Sequence, residues 1–595
     1  MSKQKEKFGK GKMKRVERSL VTVPFRLTFQ QYGLGLIAAA FAFLIYANSI
    51  GHGYVLDDYS AITINKFVQE GFAGIPKLMT VDFWHFSNMQ LGYYRPLSLI
   101  TFAMEYQFFG AAPGVSHLIN VLFYALAIYL VFILLCRIFR DYNILLPLVI
   151  TLLFAAHPIH TEVIDNIKGR DELLSFLNTM AMLWFAVRYV DDKKWISLLL
   201  SLLLFYFALL SKESALTGII LFPLVIYYAQ KRPLSEALCK ALPYLAVVIL
   251  FFIQKRWALG SVEAIIPNDI INYPYHAEAV KFSSVFMLFL FSIRMLFFPY
   301  PLRYDYSYNQ LPAVGWESGW AWLGLLVFIG MLVVAGLQVK KRSWYGLALG
   351  IFYIGMIPLV GFILLRGGIF AERNLFAPAL GFCIGIALLF GKMAKADFTS
   401  NFRMKTSILF LVSTMIIVFL YSMATIQRNR MWNDSFTLFE NDLKTGKNSA
   451  QNQLHFGSDL VMLAVNEKEV KKKDSMINVG MGSMRQALRI HPAFGDALFR
   501  YGYAYEVKIT YQREIRYVDS AIFYFNKAIE FAPGLSDAYR HLGIIYEWIQ
   551  RYDVASYYYN KAFEINPTSW EAKQKSDELR NTKGLDVKTN PLMKP

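Results

Sequence analysis

The chain has 595 residues, of which 55% are hydrophobic and only 17% charged, with a mean hydropathy of +0.35. A soluble protein of this length carries more charge, so the composition excludes an ordinary soluble enzyme and points to a membrane. The net charge of +18 does not point to nucleic acid. Much of the excess sits in the first 18 residues and in short loops between apolar runs, the distribution of segments that face anionic lipid.

A basic tail occupies residues 1–32. It is too long and too basic before its first apolar run to be a cleaved leader, so that run is expected to stay as a span. Apolar runs follow at 33–50, 116–138, 144–157, 172–190, 195–211, 214–230, 239–256, 281–299, 319–338, 344–364, 374–392 and 405–425. A helix needs about 20 residues to cross roughly 30 Å of hydrocarbon. Basic loops set the orientation. They put the tail, Arg137, Arg140, Lys193, Lys194, Lys231, Arg232, Lys340, Lys341, Arg342, Lys392, Lys395, Arg403 and Lys405 on the inside. Counted from both ends, this requires an odd number of spans, about 11 or 13, so one segment between 239 and 299 is miscounted as a crossing. Cys136, Cys239 and Cys383 all lie in or beside apolar runs and form neither a disulfide framework nor a zinc spacing.

Residues 428–583 read as a soluble repeat domain outside the membrane. Tyr539, Leu542, Gly543, Tyr546, Ala555, Tyr559, Ala562 and Pro567 fit the tetratricopeptide pattern at its own spacing. Leu498, Tyr501, Gly502, Tyr505, Ala521, Phe525, Ala528 and Pro533 fit it again with seven extra residues in the turn, and a weaker copy spans Gly457, Ala487 and Pro492. Small residues let paired helices approach, large ones fill the gap, and proline stops the second helix. Residues 584–595 read as a flexible tail. The expected fold class is therefore all-α: a polytopic transmembrane helix bundle over 33–427, then a helical solenoid.

Ionisable residues concentrate in the outer loops, chiefly 51–115 and 157–172. GYVLDDYSAITIN (53–65) places Asp57 and Asp58 just beyond the first span, where a carboxylate is partly desolvated and its proton affinity tunable. A solvated acidic pair in a loop is the competing reading. HPIHTEVIDNIKGRDELL (157–174) gathers His157, His160, Glu162, Asp165, Lys168, Arg170, Asp171 and Glu172 between two apolar runs. Such density at a membrane surface suggests a functional site, and an interfacial helix with snorkelling charges is the alternative. The spacing of His157 and His160 suits a metal, but alone it is a weak signal. Lys212, in the SKES turn at 211–214, suits a phosphate head group or simply a hairpin turn. Glu372 and Arg373, in GGIFAERNLFAPALGFC (367–383), carry the same two readings. No Walker loop and no Gly-x-Gly-x-x-Gly after a strand is present. A nucleotide held in a Rossmann-type site is therefore not the expected donor, and the outer clustering favours a lipid-linked substrate.

In chain order, GYVLDDYSAITIN, YYRPLS (93–98), SHLINVLFY (116–124), HPIHTEVIDNIKGRDELL, LRYDYSYNQLP (302–312), AERNLFAPALGFC and RNRMWNDSFTLFE (428–440), followed by the repeats, resemble the transmembrane-and-tetratricopeptide-repeat O-mannosyltransferases. Those are similar to the protein O-mannosyltransferases and share the C-type membrane glycosyltransferase fold. The resemblance covers nearly the whole chain. It implies an inverting transfer of mannose or a similar hexose from a polyprenyl- or dolichyl-phosphate donor to Ser or Thr hydroxyls of proteins on the outer side. The family's acidic motif maps onto Asp57 and Asp58, with Asp57 as general base. Arg170, then Lys212, then Arg373 are the expected groups for the donor phosphate, supported by His157, His160, Glu162, Glu372 and Arg95. No cofactor is certain. A divalent metal, Mg or Mn, on Asp57 and Asp58 is compatible with the resemblance. The repeats would recruit acceptor proteins, and the short inner loops suggest a bacterial inner membrane. The competing reading is a non-catalytic, membrane-anchored scaffold that presents repeats to a partner. A transporter would place charges within spans and show paired halves, and neither pattern is clear.

Overall fold

The computed structural model describes residues 26–87, 91–260, 274–358, 370–396, 398 and 404–593, and none of these is in a strand. Most of the basic tail, the centre of the 257–280 loop, the end of the 344–364 run and Arg403 lie outside the described residues. Helix α1 (Phe29–Tyr46) opens with a capping box, in which Thr28 and Gln31 satisfy each other's backbone N–H. After a loop and helix α2 (Pro96–Phe109), the bundle continues through α3 (Pro113–Ile138), α4 (Leu145–Ala156), α5 (Arg170–Asp192), α6 (Trp195–Ser211), α7 (Gly218–Ala229) and α8 (Leu242–Leu259). It ends with α9 (Glu278–Phe297), α10 (Gly319–Lys340), α11 (Trp344–Met356), α12 (Phe376–Met393) and α13 (Met404–Asn429). Eight described helices are long and apolar enough to cross a membrane, or nine if the bent pair at 145–156 and 158–165 is one span. The chain is thus a multi-pass integral membrane protein.

Side-chain contacts define two faces. On the basic face, Arg137 at the end of α3 pairs with Asp191 at the end of α5 at 2.7 Å. Lys231 after α7 meets Asp141 before α4 at 2.9 Å, and Arg342 donates to the carbonyls of Lys231 and Arg232 at 2.9 and 2.8 Å. On the opposite face, Lys212 after α6 pairs with Glu172 at the start of α5. There too Lys255 near the end of α8 lies 3.6 Å from Glu213, and Asn429 at the end of α13 donates to the Ile45 carbonyl at 2.9 Å.

Helix α9 breaks the alternation. It passes as a span by length and composition, yet both its ends are tied to the face opposite the basic one. Ser283 donates to the Val314 carbonyl at 2.5 Å, just before α10 begins, and the Phe286 carbonyl lies against Gly324 near the start of α10. At the other end, the Leu296 carbonyl lies 3.0 Å from His157 Nε2 and 3.3 Å from the Tyr421 hydroxyl. The twelve apolar runs therefore contain eleven described helices that lead from one face to the other.

The last crossing delivers a solenoid built from α14 (Ser435–Thr445), α15 (Ala450–Val465), α16 (Val470–Ile490), α17 (Gly495–Gln512), α18 (Val518–Phe531), α19 (Ser536–Trp548), α20 (Tyr552–Ile565) and α21 (Trp570–Lys583). The repeat positions do what their sizes allow. A Cβ on Gly457 would come within 2.5 Å of the Gly480 carbonyl, so α15 and α16 touch backbone to backbone. Ala521, Phe525, Ala528, Ala555, Tyr559 and Ala562 are all buried. The segment expected to be a flexible tail instead folds back along α20: Ser556 and Asn560 bond the backbone and side chains of 585–587.

Solenoid and bundle are fastened by residues 302–310 and by the end of α13. Arg428 and Asp442 form a buried ion pair, and Asp442 Oδ2 also accepts from the Tyr304 N–H at 2.6 Å. Arg303 donates to Thr445, and the Ala450 N–H to the Tyr308 carbonyl at 2.9 Å. Breaking a buried pair leaves one charge uncompensated, at a cost of about 3–5 kcal/mol. Asp442→Ala should therefore lower the thermal unfolding midpoint and open residues 430–450 to limited proteolysis. An unchanged midpoint and digest would show that the junction is held elsewhere.

Candidate active site

The loop after α1 turns at Val55–Asp58. Asp58 is fully buried. Its Oδ2 accepts from the Val55 N–H at 2.9 Å and its Oδ1 from the Lys168 N–H at 2.7 Å. Burial pushes its pKa up to about 7, against the opposing pull of these N–H bonds. Asp57 faces the other way. Its side chain is 46% exposed, and its Oδ2 lies 3.9 Å from Lys168 Nζ.

Lys168 begins a run of alternating charges. Its ammonium is 3.5 Å from Asp171 Oδ2. Asp171 bonds Arg95 Nη1 at 2.8 Å, Arg95 Nε bonds Glu213 at 2.9 Å, and Glu213 lies 3.6 Å from Lys255. The alternation compensates charges that burial would otherwise penalise. Aromatic rings wall the run: Lys168 sits over Phe83 and Trp84, and Arg95 lies 4.3 Å above Tyr93. Asp82 holds that wall, accepting from the N–H groups of Trp84 at 2.8 Å and Tyr93 at 2.7 Å. Two further pairs flank the run. Lys212 meets Glu172, and Arg373 meets Glu162 through both its guanidinium and its backbone N–H.

An apolar slot of about 90 Å³ reaches from Ile138, near the basic face, up between α3, α5, α7, α11 and α12. Its walls are side chains such as Leu135, Met180 and Leu380. Its upper mouth is polar, formed by Glu172, Lys212, Ser214, Thr217 and Asn374.

The structure gathers Asp57, Arg95, Glu162, Lys212 and Arg373 around this mouth and the run beside it. It separates the others. Arg170, placed first for the donor phosphate, is buried and committed: it bonds Glu105, Asn120 Oδ1 at 2.6 Å, Thr101 at 3.2 Å and the Ser116 carbonyl at 2.9 Å. It braces α2 against α3 and has no free face for a ligand. Asp58 is likewise a brace. His157 is buried against the Leu296 carbonyl, and His160 lies among Phe154, Phe376 and the Tyr124 hydroxyl at 3.0 Å. Neither opens onto the site. Glu372 turns to the 302–310 segment, accepting from the Arg303 N–H at 2.6 Å and the Tyr306 hydroxyl at 2.5 Å.

Asp57 and Asp58 do not fit a divalent cation. Both Asp58 oxygens are taken by backbone N–H groups, and an ammonium already sits beside Asp57. Among the described residues no group of three or more His, Cys, Asp or Glu is arranged for a metal. Lys168, Asp171 and Glu213 stood in the sequence motifs without an assigned role. The spacing of Lys168 and Asp171, three apart on one helix face, was the available signal.

No family model matches the chain. Among curated proteins it is similar to Protein O-mannosyl-transferase TMTC3 of Mus musculus, 26% identical over 468 residues, which cover 72% of this chain and 48% of that protein. The human TMTC3 is 27% identical over 68% of this chain and 47% of its own length, and human TMTC1 26% identical over 79% and 56%. The chain is thus a relative of the transmembrane-and-tetratricopeptide-repeat O-mannosyl-transferases that its motifs resemble, and it spans about half the length of the curated relatives it matches. Among solved structures, the crystal structure of MamA aligns at 20% identity over 25% of this chain and 78% of its own, with a TM-score of 0.20, too low to define a shared fold.

Two backbone bonds depend on the Asp58 carboxylate, and a buried donor left unmade costs about 1–3 kcal/mol. Asp58→Ala should destabilise the protein by that order and speed hydrogen exchange at Val55 and Lys168. Unchanged exchange at both amides would contradict the bracing role.

Proposed function

We propose that the chain is an inverting membrane hexosyltransferase. It moves mannose or a similar hexose from a polyprenyl- or dolichyl-phosphate donor to Ser or Thr hydroxyls of proteins. The observation that carries this is the apolar slot with its polar mouth at Lys212, set beside an exposed carboxylate at Asp57. A lipid phosphate has the two parts this site is built for: an isoprenoid tail for the slot and an anion for the mouth. The names of the relatives support the sugar and the protein acceptor. The basic residues of the opposite face support a site on the outer side, which in our reading is the periplasmic side of a bacterial cytoplasmic membrane.

In the reaction, Asp57 takes the proton of the acceptor hydroxyl. The hydroxyl oxygen bonds the anomeric carbon from the side opposite the phosphate, and the bond from that carbon to the phosphate oxygen breaks. The electron pair stays on the lipid phosphate, where Lys212 and Arg373 stabilise the developing charge. The solenoid is suited to deliver acceptors, because the segment that leads into its first helix adjoins the Asp57 loop: the Gly53 N–H bonds the Asn433 carbonyl at 2.8 Å.

The test is a glycoprotein profile of cells that lack the protein, rescued with wild type or with Asp57→Asn at equal membrane levels. Wild type should restore a missing sugar on outer-side proteins and Asp57→Asn should not. Equal rescue would remove Asp57 as the base, and no glycan change at all would favour the scaffold.

The slot makes a separate prediction. Thr179 lines it, and Thr179→Trp should raise KM for a long-chain donor by about tenfold, a loss of about 1.4 kcal/mol of binding. A donor with a chain too short to reach Thr179 should be spared. An equal effect on both donors would mean that the tail lies elsewhere.

A further inference from the structure

We infer that Lys168 is a positioning residue that acts through Asp57 and does not bind the donor phosphate. The inference rests on the function proposed above and assigns a role inside that same site.

The other cations near Asp57 are engaged by carboxylates at close range. Arg95 holds Asp171 and Glu213 at 2.8 and 2.9 Å, Lys212 holds Glu172, and Arg373 holds Glu162. Lys168 Nζ makes no hydrogen bond to any described residue and stands between Asp57 at 3.9 Å and Asp171 at 3.5 Å. Its place is nevertheless fixed. The backbone N–H of Lys168 is bonded by Asp58 Oδ1 at 2.7 Å and by Asn166 Oδ1 at 3.1 Å. The ammonium lies 5.6 and 5.4 Å from the Phe83 and Trp84 ring centroids, and its side chain is only 8% exposed. The residue that bonds the base to the chain therefore also holds the backbone of the cation that faces it.

Distance decides the role. A base within about 3 Å of the hydroxyl, and a hydroxyl about 3 Å from the anomeric carbon, put that carbon about 5–6 Å from the base, depending on the angle at the hydroxyl oxygen. In an inverting displacement the leaving oxygen lies beyond that carbon. The ammonium 3.9 Å from Asp57 Oδ2 is in ion-pair range of the base itself, whereas Lys212 and Arg373 pair with Glu172 and Glu162. From there the ammonium, itself buried, faces Oδ2 of the half-exposed Asp57 carboxylate and orients that carboxylate for the hydroxyl. The departing phosphate on the far side is left to Lys212 and Arg373.

The experiment uses the full chain in lipid nanodiscs, with polyprenyl-phosphate mannose as donor and an acceptor protein. It compares wild type, Lys168→Met, Lys168→Arg, Asp57→Asn and the double variant Lys168→Met with Asp57→Asn. Lys168→Met should lower kcat by about 10–100-fold, a fraction of what a general base supplies, with the donor KM within about twofold of wild type. Lys168→Arg should recover part of kcat. The double variant should be no slower than Asp57→Asn alone, because residues that act as a unit are not additive. A raised donor KM with kcat kept would make Lys168 a phosphate ligand and overturn the inference. So would a loss that adds to that of Asp57→Asn, or full activity of Lys168→Met. If the methionine variant does not fold, Lys168→Gln is measured and judged by the same criteria. Absence of lipid-dependent transfer by wild type would instead overturn the proposed function, so the two failures are distinguishable.

Discussion

A carboxylate sealed from water ties together two loops that stand 110 residues apart in the chain, as Asp58 accepts the backbone N–H of Lys168. Such a group is costly to bury unless hydrogen bonds replace its hydration. Two N–H groups do so here, although burial still outweighs them in setting its proton affinity. The tie places the neighbours of both partners. Asp57 is turned outward beside the bond, and the Lys168 side chain extends toward it. From Lys168 the alternation of charge continues through Asp171, Arg95 and Glu213 to Lys255. Each member is compensated by the next, so the arrangement depends on all of them being held in place.

The 302–310 segment extends this constraint to the solenoid. Its Arg303 and Tyr306 hold Glu372, one residue before Arg373, which reaches Glu162 across the site. The same segment bonds Asp442 through Tyr304 and Thr445 through Arg303. The junction with the repeats and a flank of the site therefore share a few consecutive residues. Buried pairs such as Arg428 with Asp442 add little net stability compared with apolar packing, but they fix one arrangement of the two parts.

The sequence made the helices and the repeats readable because both depend on local pattern. Apolar runs mark helices by length, and Ala521, Phe525 and Ala528 mark a helix pair by size at fixed spacing. Helix α9 was hidden for the same reason. Hydropathy records composition, and only the contacts of Ser283 and Leu296 reveal that both ends share a face. The site was half legible. Dense ionisable residues announced a place, yet which charge answers which is decided by tertiary contacts. An arginine at a membrane edge reads as functional, but Arg170 is neutralised by Glu105, 65 residues earlier in the chain. Lys212 and Glu213 are adjacent in sequence and serve different partners, Glu172 and Arg95. Asp57 and Asp58 look alike in the motif and differ in burial, which makes one a brace and leaves the other free to act.

The central claim is that a lipid phosphate carries the sugar to the face where Asp57 lies. The most direct measurement is transfer by the purified full chain in nanodiscs, supplied with labelled polyprenyl-phosphate mannose or with labelled nucleotide mannose. The account predicts label on Ser or Thr of an acceptor protein from the lipid donor alone, with the anomeric configuration inverted. Transfer from the nucleotide sugar without lipid donor, or retention of configuration, would contradict it.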